Sequence, residues 1–236
     1  MEYSNLTILN KSFLKRFSHK SRFKMASNIL KENYKDNNQN ILDYGTGSGD
    51  FLKKLKHDFP NLKNVYAYEP LIERYNETLE NISHHKNIIV YNSINDIEKK
   101  FDTIFCMEVF EHLNKKLIIE ALNNIAKALN KNGICIVSVP IETGFGGFLK
   151  NIVRALIGET HHGSSPKNFL KVLFGIKIQR NENVDYISSH VGFSHHELEN
   201  LIKIQNFTIT KKYFSPFSYL GSQLNSQIFF IIKKNS

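Results

Sequence analysis

One glycine-spaced turn limits the folds open to this chain more than any other feature. Ile41-Leu42-Asp43-Tyr44 reads as a short apolar strand, Gly45-Thr46-Gly47-Ser48-Gly49 as a turn, and Phe51 to His57 as a helix leaving it. Glycine tolerates positive φ and lets backbone approach a ligand with no Cβ in the way. At the carboxyl end of a parallel strand, such a turn sits where open α/β sheets bind ligands. The spacing is not the G-x-G-x-x-G that cradles a dinucleotide pyrophosphate.

The rest of the chain repeats the strand–helix rhythm. Val65–Tyr68, Ile88–Tyr91, Phe101–Met107 and Ile134–Val139 read as strands, with helices over 71–82 and 115–129 between them. Asn132-Gly133 is expected to stop the second of these helices, and Pro140 to close the fifth strand. Alternation of this kind predicts a parallel sheet covered on both faces. The run Ile134-Cys135-Ile136-Val137-Ser138-Val139 suits a strand buried on both sides. Later segments differ: 197–204 is helical, and 207–213 and 227–233 read as two strands of an antiparallel hairpin at the sheet edge. Together these predict a Rossmann-like α/β fold: a seven-stranded, mostly parallel sheet with an antiparallel C-terminal hairpin and helices on both faces.

With 236 residues the chain fits one domain. Residues 1–40 read as an N-terminal helical cap of one or two helices, closed by the polar break Asp36–Asn40, and 141–190 as an insertion. Cys106 and Cys135 lie in strands and read as free buried thiols of a reducing compartment. No apolar run reaches the ~18 residues of a membrane span, and the N-terminus lacks a signal-peptide pattern, so a cytoplasmic protein is expected. The net charge of +9 comes mostly from lysines scattered among Asn and Ile. No arginine-rich stripe is present, which argues against a nucleic-acid partner.

Two further groups carry chemistry. Glu69 ends the second strand, about 20 residues after Gly49, the distance at which an acidic side chain accepts hydrogen bonds from ribose hydroxyls. Glu108, Glu111 and His112 form E-x-x-E-H at what reads as a helix start. His112 is a candidate general base, or a structural histidine bonded to a neighbouring loop. The three could also converge on a Mg- or Mn-like ion.

The string Asp43-Tyr44-Gly45-Thr46-Gly47-Ser48-Gly49 resembles motif I of the class I S-adenosylmethionine-dependent methyltransferases. Phe101-Asp102-Thr103-Ile104-Phe105-Cys106-Met107-Glu108-Val109-Phe110-Glu111-His112-Leu113 resembles motif IV of their small-molecule (type 11/23-like) branch, and Leu129 to Gly133 their motif V region. The resemblance is close over 41–140 and weaker at His190–Leu198. It implies S-adenosyl-L-methionine as cofactor. Asp43 and the backbone of Gly45, Thr46, Gly47 and Gly49 would hold its methionine end, Glu69 and Pro70 the ribose, Ser93 and Ile94 the adenine. Cys106 and Met107 would line the methyl-bearing edge, with Glu108 and His112 as catalytic candidates. Asn92 and Ser93 stand where the family often has an aspartate at the adenine amine; the nearest acid is Asp96. The expected activity is O- or N-methylation of a small-molecule or glycan acceptor. The alternatives are a metal-assisted RNA 2′-O-methyltransferase, whose motif E-x-x-E-H also resembles, and a non-catalytic cofactor-binding subunit; the resemblance to the RNA enzymes implies a further histidine on the metal beside Glu108, Glu111 and His112, a part open to His190, His161 or His162. No pattern selects the acceptor or the oligomeric state.

The insertion reads as an acceptor-site lid. Phe145, Phe148, Leu149, Ile152, Val153 and Leu156 share one helical face, with Lys150 and Arg154 beside it. Such a face packs on the domain, closes over the acceptor, or meets a lipid-linked acceptor at a membrane surface. Arg22 and the nearby lysines read as a solvated helix face.

Overall fold

The structure is a computed structural model that describes residues 13–85, 87–142, 184–187, 192–217, 221 and 225–235. Seven strands form one sheet in the order β3-β2-β1-β4-β5-β7-β6. They are β1 (Asn40–Tyr44), β2 (Asn64–Tyr68), β3 (Ile88–Tyr91), β4 (Phe101–Met107), β5 (Leu129–Pro140), β6 (Phe207–Ser215) and β7 (Gln227–Lys234). β1 to β5 run parallel, whereas β7 pairs antiparallel with both β5 and β6. Among the described residues the helices are α1 (Phe13–Asn33), α2 (Asp50–Asp58), α3 (Ile72–Asn81), α4 (Lys115–Ala128) and α5 (His195–Ile204). The expected fold class is the one observed.

Strand alternation explains both layers. Leu42, Tyr44, Cys106, Cys135, Val137 and Phe230 face a core shared with Ile118, Leu122 and Ile125 of α4 and with Leu198 and Ile202 of α5. Their neighbours Ile41, Phe105, Met107, Ile136, Phe229 and Ile231 face Ala26, Ile29 and Leu30 of α1 and Phe51, Leu52 and Leu55 of α2. The chain moves outward from β1 through β2 to β3, then restarts at β4 on the other side. Helices following right-handed crossovers therefore fall on opposite faces, and the crevice opens between the carboxyl ends of β1 and β4.

The starts of α4 and α5 carry side-chain caps. Asn114 accepts the Leu117 N–H at 2.9 Å, and Ser194 accepts that of Glu197 at 3.3 Å. The β5 start departs from expectation. The chain turns extended at Leu129, and Asn132-Gly133 falls inside the strand. Leu129 pairs with Phe101, and Ile134 with Thr103, so the residues between bulge out. Asp102 anchors the bulge by accepting from the Asn130 amide at 3.0 Å and from the Asn40 N–H at 2.9 Å. The aspartate of the F-D-x-I string is thus a staple between strands. Outermost β6 carries exposed Thr208, Lys211 and Lys212, side chains that blunt a free edge.

Candidate functional site

The glycine turn is bolted from several directions. The N–H groups of Gly45 and Thr46 both donate to the Tyr68 carbonyl, at 2.8 and 3.1 Å. The Gly47 N–H donates to Glu69 Oε2 at 2.9 Å, and the Leu71 N–H to Oε1 at 3.1 Å. From α3, Thr78 Oγ1 donates to the Gly47 carbonyl at 2.5 Å, and the amide of Asn81, the last residue of that helix, donates to the Ser48 carbonyl at 3.0 Å. Gly45 and Gly47 adopt φ of 78° and 63°. A Cβ on Gly45 would lie 2.5 Å from Val109 Cγ2, so this turn and the β4 exit touch.

These bonds change the expected division of labour. The amides of Gly45, Thr46 and Gly47 are spent on the protein, because buried N–H groups need partners. The Gly47 and Ser48 carbonyls are likewise engaged, so the turn presents a surface without Cβ atoms, flanked by carboxylates. Asp43 is 3% exposed and accepts from Thr46 Oγ1 at 2.7 Å. Burial, with the Glu69 charge adding to it, pushes its pKa from 3.8 up to about 7. Burial also raises the Glu69 pKa, against the two N–H bonds and the nearby positive charge of Arg74. Two buried acids at a glycine turn fit a ligand that brings positive charge and hydroxyl donors, as the ammonium, sulfonium and ribose of S-adenosylmethionine do. A carboxylate has about four acceptor sites, so Glu69 keeps capacity beyond its two backbone bonds.

Ser93 caps a short 3₁₀ turn (Ile94–Asp96) after β3 by accepting the Asn95 N–H at 3.3 Å, and Ile94 packs half-buried against the core. Pro70 is exposed beside Glu69. Met107 is buried on the α1 face at the crevice. Cys106 lies in the opposite core, its thiol pushed up by burial and by nearby Cys135, so its side chain belongs to the packing.

E-x-x-E-H does not start a helix. Phe110–His112 is a 3₁₀ turn, and α4 begins at Lys115. The three side chains take separate positions. Glu108 has φ 56°, donates its N–H to the Ser138 carbonyl at 3.0 Å, and pairs with Arg22 at 2.7 Å. Glu111 is fully buried, and burial followed by the Glu108 charge raises its pKa well above the carboxylate range. His112 Nδ1 lies 3.0 Å from the Ile187 carbonyl. Among the described residues, no three His, Cys, Asp or Glu side chains are grouped to hold a metal ion. His161, His162, His190 and the apolar face from Phe145 to Leu156 lie outside the described residues.

The methyltransferase domain family model matches residues 17–212, most of the chain. The chain belongs to the class I S-adenosylmethionine-dependent methyltransferases. Solved structures share this enzyme's fold at low identity. An S-adenosylmethionine-dependent methyltransferase from Clostridium acetobutylicum has a TM-score of 0.63 at 14% identity, covering 99% of this chain and 96% of its own. Magnesium protoporphyrin IX methyltransferase from Synechocystis, solved with bound SAH, has 0.62 at 10%, covering 95% and 88%. A tRNA U34 carboxymethyltransferase of Sulfurimonas denitrificans is 26% identical over 117 residues, which is 48% of this chain and 38% of that protein. The chain thus matches well under half the length of that curated relative.

Several residues around the candidate site carry no sequence signal. Arg22, expected in solvent, has a side chain only 12% exposed and held by Glu108. Thr78, Asn81, Arg74 and Tyr186 reach the site from distant parts of the chain, without a motif. No helix among the described residues is long and apolar enough to cross a membrane.

Proposed function

We propose that this methyltransferase methylates an oxygen or nitrogen of a small-molecule or glycan acceptor in the cytoplasm. The observation that carries the reading is the pair of buried carboxylates, Asp43 and Glu69, held under a glycine turn at the β1–β4 crevice. Asp43 faces the cationic methionine end of the cofactor. Glu69, with Pro70 beside it, accepts from the ribose hydroxyls, and Ser93 and Ile94 flank the adenine. Met107 borders the methyl group. When bound, S-adenosylmethionine supplies a methyl group already activated as a sulfonium. The chain's part is to align the acceptor in line with the methyl–sulfur bond, exclude water and take the acceptor's proton.

His112 is the proposed proton acceptor. Glu108 orients the β4 exit through its bond to Arg22, which places helix α1, within the cap of residues 1–40, over the acceptor side. The insertion at 141–190 closes the same side and sets specificity. A tRNA acceptor is the second reading, favoured by the partial match to the tRNA-modifying relative. The test is methyl transfer from labelled S-adenosylmethionine to fractions of a cell extract. Label in a nuclease-resistant, low-mass fraction supports the small-molecule reading; label in a nuclease-sensitive fraction contradicts it.

A further inference from the structure

A short strip from the end of the insertion returns to the site and stitches itself to the β4 exit. The Ile187 N–H donates to the His112 carbonyl at 2.7 Å, the Asn114 amide donates to the Val184 carbonyl at 3.2 Å, and Leu113 and Tyr186 form an antiparallel bridge. The Tyr186 ring stacks on the His112 imidazole, with centroids 5.1 Å apart and planes 11° from parallel. The Arg74 guanidinium lies 6.0 Å from the Tyr186 ring centroid, and its charge also acts on Glu69.

The chemistry of the side-chain bond to Ile187 indicates which tautomer it selects. A carbonyl oxygen only accepts, so at 3.0 Å from the Ile187 oxygen it is His112 Nδ1 that carries the proton. In the neutral ring the basic lone pair is then on Nε2. The near-parallel Tyr186 ring restricts rotation of the imidazole plane, and the strip's backbone bonds fix the carbonyl that the ring addresses.

We propose that Tyr186 and the backbone of Ile187 are positioning residues that hold His112 in the Nδ1–H tautomer with Nε2 as its basic atom. This rests on the reading of His112 as the acceptor-side base. The acceptor O–H or N–H gives its proton to Nε2, and the freed lone pair on oxygen or nitrogen bonds the methyl carbon. The carbon–sulfur bond pair stays on sulfur, which leaves uncharged. The resulting imidazolium donates Nδ1–H to the Ile187 carbonyl and later returns its extra proton to water. Arg74 links the same aromatic ring to the ribose-binding carboxylate, so the strip bridges the exits of β2 and β4 across the cofactor crevice.

The experiment is long-range ¹H–¹⁵N correlation spectroscopy on the ¹⁵N-histidine-labelled full chain, with S-adenosylhomocysteine as the probe and His112 assigned by His112→Gln. Expected for the wild type at pH about 8 is one protonated-type Nδ1 and one lone-pair-type Nε2, the signature of a single tautomer. Tyr186→Phe keeps that pattern. Tyr186→Ala averages the two nitrogen shifts while the other histidine signals stay put, which shows the fold intact. An averaged or reversed wild-type pattern, or a Tyr186→Ala pattern identical to wild type, would overturn the inference. A single tautomer in a protein whose His112→Gln variant transfers methyl at the wild-type rate would overturn the base reading and leave the positioning geometry standing.

Discussion

At the scale of single residues, the site depends on one missing side chain and two displaced proton equilibria. Gly45 combines φ of 78° with a neighbour at 2.5 Å from any added Cβ. Gly45→Ala therefore costs about 2–4 kcal/mol, the sum of left-handed backbone strain and overpacking, measurable by urea denaturation. Adding Val109→Ala recovers the overpacking part, because Cγ2 is the atom in the way. Asp43 makes a pH prediction. Its pKa is about 7 when folded and 3.8 otherwise, so between about 4 and 7 the folded cofactor-free protein holds more protons than the unfolded chain. Stability then falls as pH rises through that window, and Asp43→Asn removes that part of the slope. Cofactor affinity moves the other way: it rises from about pH 6 to about pH 8 in the wild type as Asp43 ionises, and is flatter in Asp43→Asn. The sequence showed the acids and the glycines by their spacing. It did not show that the Gly47 amide is spent on Glu69, because that bond joins residues 22 apart and depends on how β1 and β2 align.

At the scale of elements, the described helix of the N-terminal cap is tied to the sheet by apolar packing and by the ion pairs Arg22–Glu108 and Glu32–Lys211. Ala26, Ile29 and Leu30 are fully buried, as helical periodicity predicts. Arg22 lies on the same helix, and no pattern in the sequence marks its partner, because the Glu108 backbone turns left-handed just after β4. Arg22→Ala is expected to cost about 1–3 kcal/mol, between the values for exposed and buried pairs. A double-mutant cycle with Glu108→Ala should give a coupling of about 1–2 kcal/mol. The expectation that E-x-x-E-H opens a helix failed for a related reason: Asn114 caps α4 just beyond His112, leaving the string in a 3₁₀ turn. Arg74 on α3 acts on the Glu69 charge and lies against the Tyr186 ring. Arg74→Ala therefore weakens cofactor binding several-fold in calorimetry while leaving the thermal midpoint within about 2 °C.

At the scale of the whole molecule, strand order and handedness bring together residues that lie far apart in sequence. The switch between β1 and β4 opens one crevice, and Asp43, Glu69, Ser93 and Met107 lie at or just beyond the carboxyl ends of β1, β2, β3 and β4. Alternating apolar strands and amphipathic helices made this architecture legible, down to the C-terminal antiparallel pair. The surroundings of the β4 exit were less legible, because α1 and the strip at Val184–Ile187 meet it only in three dimensions. The central claim is that buried carboxylates under the glycine turn bind S-adenosylmethionine, and calorimetric titration of the wild type and Glu69→Gln with that cofactor tests it most directly. The wild type should bind one equivalent, and the variant, folded by circular dichroism, should bind about 10–100-fold more weakly, the loss of a charged hydrogen-bond acceptor. Equal affinities, or no heat from the wild type, would contradict it.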